Sequence, residues 1–329
     1  MPPHARSLSA ALFSRSALSL LAATALLPTA WLAAAAAPGP VSWSLRAGDR
    51  VVLLGDTVIE REGESGAIET ALVAMHPGAN LTFRNLGWSG DTVWAESRGV
   101  FDAPSAGYAR MIDVVRGQKP TVVIVAYGRN ESLAGAAGLE PFRKQLDRLC
   151  DDLQRPTPAE GDAADAAPRL VLVTPPPLEG VSPLKAAAAL ARNQTLADYA
   201  AAIRTVAAAR GTGIVDLFAE VADKLPAGAH LTENGVHLSD AGYGAAAAVF
   251  ADSCGQPLSG DFASRTTAIR DAVNKKNRLF FHSWRPANET YLFLFRRHEQ
   301  GNNAIEIPQF DPLVEAAEAT VRELARESR

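Results

Sequence analysis

Four short segments of the chain carry side chains suited to acyl transfer. Gly55-Asp56-Thr57 offers a hydroxyl. Gly90, in Gly87-Trp88-Ser89-Gly90-Asp91-Thr92, offers a backbone amide. Asn130, in Tyr127-Gly128-Arg129-Asn130-Glu131-Ser132, offers a side-chain amide, and His237, in Asn234-Gly235-Val236-His237-Leu238, an imidazole. Cleaving an ester needs a nucleophile, donors for the oxyanion that forms on the carbonyl, and a base for the nucleophile's proton. The four segments supply all of these. Each residue also has a purely structural reading. Thr57 reads equally well as the cap of a helix at a strand-to-helix corner. Gly90 and Asn130 read as turn residues, and His237 as a loop histidine. Asp56 and Asp91 read as acceptors that fix loops by binding backbone amides. A metal site assembled from His230, His237, Asp56 and Asp91 competes for the same side chains. No HExxH or closely paired spacing supports it, so no metal is expected.

The segments act together only if the fold brings them together. Strand candidates are Val51–Leu54, Leu81–Leu86, Thr121–Ala126, Leu170–Thr174 and Ile214–Leu217, several of them almost continuously apolar. That pattern fits strands covered on both faces. Helical patterns lie between them. Phe142, Leu146, Leu149 and Leu153 share one helical face, and the Ala-rich stretch Ala187–Arg210 stops at Gly211. The alternation predicts an α/β fold, a three-layer α/β/α sandwich around a five-stranded parallel sheet. Such sheets bind ligands at the carboxyl ends of their strands. Each chemical segment follows a strand, and Thr174-Pro175-Pro176-Pro177 follows the fourth.

The 329 residues are 47% apolar and carry a net charge of −4, enough for a sizeable core and too acidic for a general nucleic-acid binder. Two cysteines, Cys150 and Cys254, exclude a disulfide framework or a four-cysteine zinc site. They are either one pair or two separate thiols. Residues 1–37 hold Arg6 and Arg15, no acid, and an apolar run ending in five alanines. A positive start, an apolar middle and a small-residue end describe a signal peptide cleaved near Ala37; an uncleaved anchor is the alternative. Cleavage predicts an exported protein with no stable membrane insertion. The remainder divides into an α/β domain, 38–255, and a C-terminal extension, 256–329, with a surface loop over Arg155–Pro168. Between Arg265 and Arg297 the extension holds eight Lys or Arg, only Asp271 and Glu289, and the aromatics Phe280, Phe281, Trp284, Tyr291, Phe293 and Phe295. Such a stretch can stack on sugars. The pattern predicts instead an aromatic and helical arm that wraps the core, with its aromatics buried and its arginines in water. Its last helix is capped at Asp311-Pro312 and striped by Leu313, Ala317, Val321 and Leu324.

In this order, each after a strand, the four segments resemble the SGNH hydrolases, also called the GDSL lipase/esterase family. Gly55-Asp56-Thr57 resembles the family's GDS block, Gly90 its second-block glycine, Asn130 its third-block asparagine, and His237 the histidine of its DxxH block. The resemblance covers about Arg46 to Cys254. The run Phe83–Thr92 and the aromatic tail are similar to a bacterial exported subgroup. It implies a flavodoxin-like fold, no cofactor, and a small-molecule or glycan ester as substrate, such as an O-acetyl group on a carbohydrate. It implies Thr57 as nucleophile, His237 as base and Asn234 as the residue that positions it. The oxyanion would lie among Thr57, Gly90 and Asn130, with Asp56, Trp88 and Glu131 about the substrate. Three positions depart from the family pattern. Thr57 replaces serine, and its methyl group stiffens χ1. Asn234 replaces the triad acid, a change that costs a serine protease about four orders of magnitude. Glu131 replaces an aspartate. Glu233 and Asp240 are the nearby carboxylates that could stand in for the missing acid. Beside the esterase stands a second expectation, a protein on the same fold that binds a glycan or cell-wall ligand without turnover. A third is an interaction module that docks a partner through its aromatic arm.

Overall fold

The computed structural model describes residues 42–155 and 166–328. The proposed signal segment and most of the Arg155–Pro168 loop lie outside them. Five strands pair side by side: β1 (Arg50–Gly55), β2 (Thr82–Asn85), β3 (Val122–Ala126), β4 (Arg169–Val173) and β5 (Gly213–Val215). All neighbours are parallel, in the order β2-β1-β3-β4-β5. The α/β reading of the sequence is thereby met, with the doubly wound order of flavodoxin-like sheets. β5 stops at Val215, two residues earlier than the pattern predicts. Asp216 takes the next position and caps a short helix through the Ala219 amide, while Arg204 binds its carboxylate.

In chain order the helices are α1 (Thr57–Ser65), α2 (Ala67–Met75), α3 (Pro104–Gly117), α4 (Gly135–Gln154), α5 (Ala186–Arg210), α6 (Leu217–Glu220), α7 (Asp240–Ser253), α8 (Phe262–Arg265), α9 (Thr267–Trp284), α10 (Glu289–Leu292), α11 (Arg297–Gln300) and α12 (Phe310–Glu327). Side chains alternate across a strand. Val51 and Leu53 therefore enter one core with α1, α2 and α7, while Val52 and Leu54 enter another with α3, α4 and α5. The predicted face Phe142, Leu146, Leu149, Leu153 is buried in the second core. Cys150 lies in that core and Cys254 packs against the first. The sheet separates them, and both are free thiols.

The extension crosses the β2 edge of the sheet. Ile269 and Val273 of α9 and Val321 and Ala325 of α12 join one core, and Phe280 and Val314 the other. β2 is an edge strand, so its outer backbone groups need partners. Glu318 accepts from the Phe83 amide (3.1 Å) and pairs with Arg84 (2.9 Å). Lys276 donates to the Phe83 carbonyl (3.1 Å) and pairs with Glu69 of α2 (2.8 Å), both charges being buried. Side chains thus finish the edge that another strand would otherwise extend. Two expectations change here. The buried stripe of α12 is Val314, Glu318, Val321 and Ala325, and Leu313 faces solvent. Of the aromatics Phe280 is buried, whereas Phe281, Phe293 and Phe295 are exposed. Among the described residues no helix is long and apolar enough to cross a membrane.

Candidate active site

The nucleophile candidate stands at the first turn of α1, just past the carboxyl end of β1. Asp56 caps that helix: its carboxylate accepts from the Val58 amide at 2.9 Å. The cap role therefore falls on Asp56, and the Thr57 hydroxyl is left to face a cleft. That hydroxyl accepts a hydrogen bond from the Gly90 amide at 3.0 Å. Gly90 has φ +71°, a conformation that favours glycine. Thr57 and the Gly90 amide, two members of the inferred oxyanion site, thus meet directly.

The Gly90 loop is held from below. Asp91 is fully buried and binds Arg98 (2.7 Å) and the Tyr127 hydroxyl (2.9 Å). It fixes the loop as expected, but through side chains rather than backbone amides. Asn130 donates one amide hydrogen to the Asp91 carbonyl (2.7 Å). An amide NH₂ carries two donors, so the second remains for an oxyanion.

His237 lies in the turn Asn234–His237. Gly235 has φ +86°, and a Cβ there would strike the Glu179 carbonyl at 2.8 Å, so the turn requires glycine. The turn lets Asn234 Oδ1 accept from the amides of Val236 (3.1 Å) and His237 (3.0 Å). With its oxygen occupied, Asn234 presents Nδ2 to His237 Nδ1 at 3.2 Å. An amide nitrogen only donates. Nδ1 is therefore the acceptor, and the proton of the neutral ring rests on Nε2. Burial, with Arg61 and Arg129 nearby, lowers the His237 pKa below the ordinary value of 6.5, so the ring is neutral at pH 7. No hydrogen bond joins Thr57 Oγ1 to the ring among the described residues. Neither candidate carboxylate reaches it: Glu233 pairs with Arg61 (2.9 Å) and Asp240 with Arg270 (3.3 Å).

Thr57 and His237 line a common cleft of about 940 Å³ between α1 and α9. Glu60, Arg61 and Glu64 of α1 form one side, and Asn274, Arg278 and Phe281 of α9 another. Three residues placed about the substrate by resemblance are elsewhere. Asp56 is buried under α1, and burial pushes its carboxyl up to about 6 against the nearby Arg129 charge. Glu131 is buried too, accepts from the amides of Val93 (2.7 Å) and Gly128 (2.8 Å), and is pushed up to about 8 by burial. Asp56 caps α1 and Glu131 binds loop amides, so both carboxylates are engaged by the backbone. Trp88 carries Arg285 at 3.6 Å from its ring centre and meets the edge of Trp284, so its ring serves the arm. Arg285 also pairs with Glu60 (2.7 Å), which in turn accepts from the Ser89 hydroxyl.

Sequence reading missed Arg129. This buried guanidinium donates to the carbonyls of Val236 and Pro176, the second at 2.9 Å, and so ties the Asn130 loop to the His237 turn. An arginine directly after a fully buried strand was the available signal, because such a cation needs carbonyl or carboxylate partners. Glu179 has a similar role, accepting from the Thr232 amide (2.8 Å) at the base of the turn. Among the described residues no cluster of three His, Cys, Asp or Glu could hold a metal.

Residues 53–245 match the model of the GDSL-like lipase/acylhydrolase family. No curated protein matches the chain. A solved gut microbial diltiazem-metabolizing enzyme shares the fold with a TM-score of 0.50 at 20% identity, over 66% of this chain. The chain spans only about half (49%) of that protein's length. A catalytic mutant of an acetylxylan esterase from Geobacillus stearothermophilus gives 0.49 at 21% identity over 65% of this chain and 97% of that one. A carbohydrate acetylesterase family member from Sinorhizobium meliloti gives 0.45 at 19% identity, over 63% and 99%. At these identities the likeness to solved structures is one of fold.

Proposed function

The chain belongs to the GDSL-like lipase/acylhydrolase family, and on that premise we propose that it is an exported hydrolase of O-acyl, most simply O-acetyl, esters of carbohydrates. The observation that carries the reading is the junction of Thr57 with the Gly90 amide in a cleft shared with His237. The lining of that cleft, rich in amides and charges, suits a hydroxyl-bearing alcohol better than a fatty chain. Export rests on the composition of residues 1–37. It predicts that the protein recovered outside the cytoplasm begins near residue 38; recovery of a full-length cytoplasmic chain would contradict it.

Thr57 Oγ1 attacks the acyl carbon as its proton passes to His237 Nε2. The carbonyl oxygen becomes an anion held by the amides of Thr57 and Gly90 and by the free hydrogen of the Asn130 amide. Collapse expels the alcohol, which takes the proton from Nε2 and leaves Thr57 acylated. Water then attacks with the same base, releasing the acid and restoring the hydroxyl. Nε2 accepts a proton only when the ring hydrogen sits on Nδ1, where it faces the Asn234 NH₂. Each turnover thus begins from a disfavoured tautomer, and the enzyme is slow.

Hydrolysis of 4-nitrophenyl acetate by the parent, Thr57→Ala and His237→Ala tests this. The parent rate should exceed both variants, and kcat/KM should fall on the acid side with an apparent pKa below 6.5, as the lowered His237 value requires. Equal rates in all three proteins would remove the hydrolase reading. The Asn234 contact favours a second reading, in which the cleft holds an acylated glycan without turnover. Binding measured by calorimetry, with no product released, distinguishes it.

A further inference from the structure

One wall of the cleft is built outside the family-matched segment. Asn274, Asn277, Arg278, Phe281 and His282 all belong to α9, beyond residue 245 where the match ends. Among the described residues Arg278 has no carboxylate partner, although it is exposed at the cleft. Phe281 keeps 37% of its surface in solvent beside it. A free guanidinium and an aromatic ring three residues apart on one helix face describe a surface for a ring that has apolar C–H faces and a rim of hydroxyls.

We propose that α9 is the alcohol-side wall of the site, holding the sugar ring of the ester while its acyl carbon lies at Thr57. Phe281 packs against the C–H face of a pyranose. Arg278 donates to ring or hydroxyl oxygens. The wall is anchored at two points: Lys276 of α9, paired with the buried Glu69 of α2, and Arg285 just beyond the end of α9, which grips Glu60 and Trp88. The assignment rests on the hydrolase reading for its acyl side, but the sugar contacts stand without turnover.

The test compares 6-O-acetylglucose with 4-nitrophenyl acetate, which carries no sugar, in the parent, Phe281→Ala and Arg278→Ala. Both positions are exposed, and melting curves check that the variants fold. The ratio of kcat/KM for the sugar ester over the nitrophenyl ester should drop at least tenfold in each variant, through KM. A ratio that stays within twofold in both variants overturns the proposal. If the parent hydrolyses neither ester, the hydrolase reading falls and the wall is judged by calorimetry with 6-O-acetylglucose. Binding by the parent that weakens tenfold or more in the variants supports it, and no binding by the parent overturns it.

Discussion

A single amide decides how the candidate site works at the scale of residues. Asn234 is locked by two backbone donors to its oxygen, so it cannot turn that oxygen toward His237 without leaving both amides unpaired. Aspartate at this position keeps one oxygen on the backbone and places the other on Nδ1, where it accepts the ring hydrogen and frees Nε2 as a base. Asn234→Asp should therefore raise kcat for 4-nitrophenyl acetate by about 10²- to 10⁴-fold, the upper figure being the loss seen when a protease triad acid becomes its amide. An unchanged kcat would show that the ring does not act as the base. The departures at Thr57 and Asn234 were legible in the sequence because they interrupt a short ordered motif. The direction of the Asn234 amide was not, since it depends on a turn that only Gly235 permits. Asp56 and Glu131 misled for a related reason: each adjoins a site residue in sequence, but burial turns it toward backbone amides. Their neighbours Thr57 and Asn130 stay partly exposed.

At the scale of elements, strands were easier to read than the faces of the arm. β1, β3 and β4 are continuous apolar runs because helices cover both of their faces. The α12 face was displaced by one position because hydrophobic counting favours Leu313 and passes over Glu318. That glutamate occupies an interior position in order to bind the β2 backbone. Lys276 is hidden from such counting in the same way. Its removal strands Glu69 as a buried charge and leaves the Phe83 carbonyl without its donor. Lys276→Met should destabilise the protein by about 3 to 5 kcal/mol, measured by urea unfolding. The double variant Lys276→Met with Glu69→Leu should lose less, because no unpaired charge remains. A single variant as stable as the parent would mean that the pair contributes nothing.

At the scale of the whole molecule, the extension is part of the sheet's boundary as well as a wall of the cleft. A chain ended after Gln256 would uncover Glu69 and Val73 of α2 and the outer groups of β2. We expect it to associate through that edge and to elute from size exclusion as large species, whereas the full chain does not. A truncated chain that stays monomeric and melts with the parent would show the arm to be an accessory. The order in which the chain emerges gives this boundary another meaning. The groups that close the β2 edge come from residues 193 and 235 positions later in the chain. All five strands are therefore synthesised before Lys276 and Glu318 exist to complete the edge. During that interval the outer groups of β2 lack these partners and can pair with another extended chain. The last helix thus times the moment at which the protein becomes safe to release.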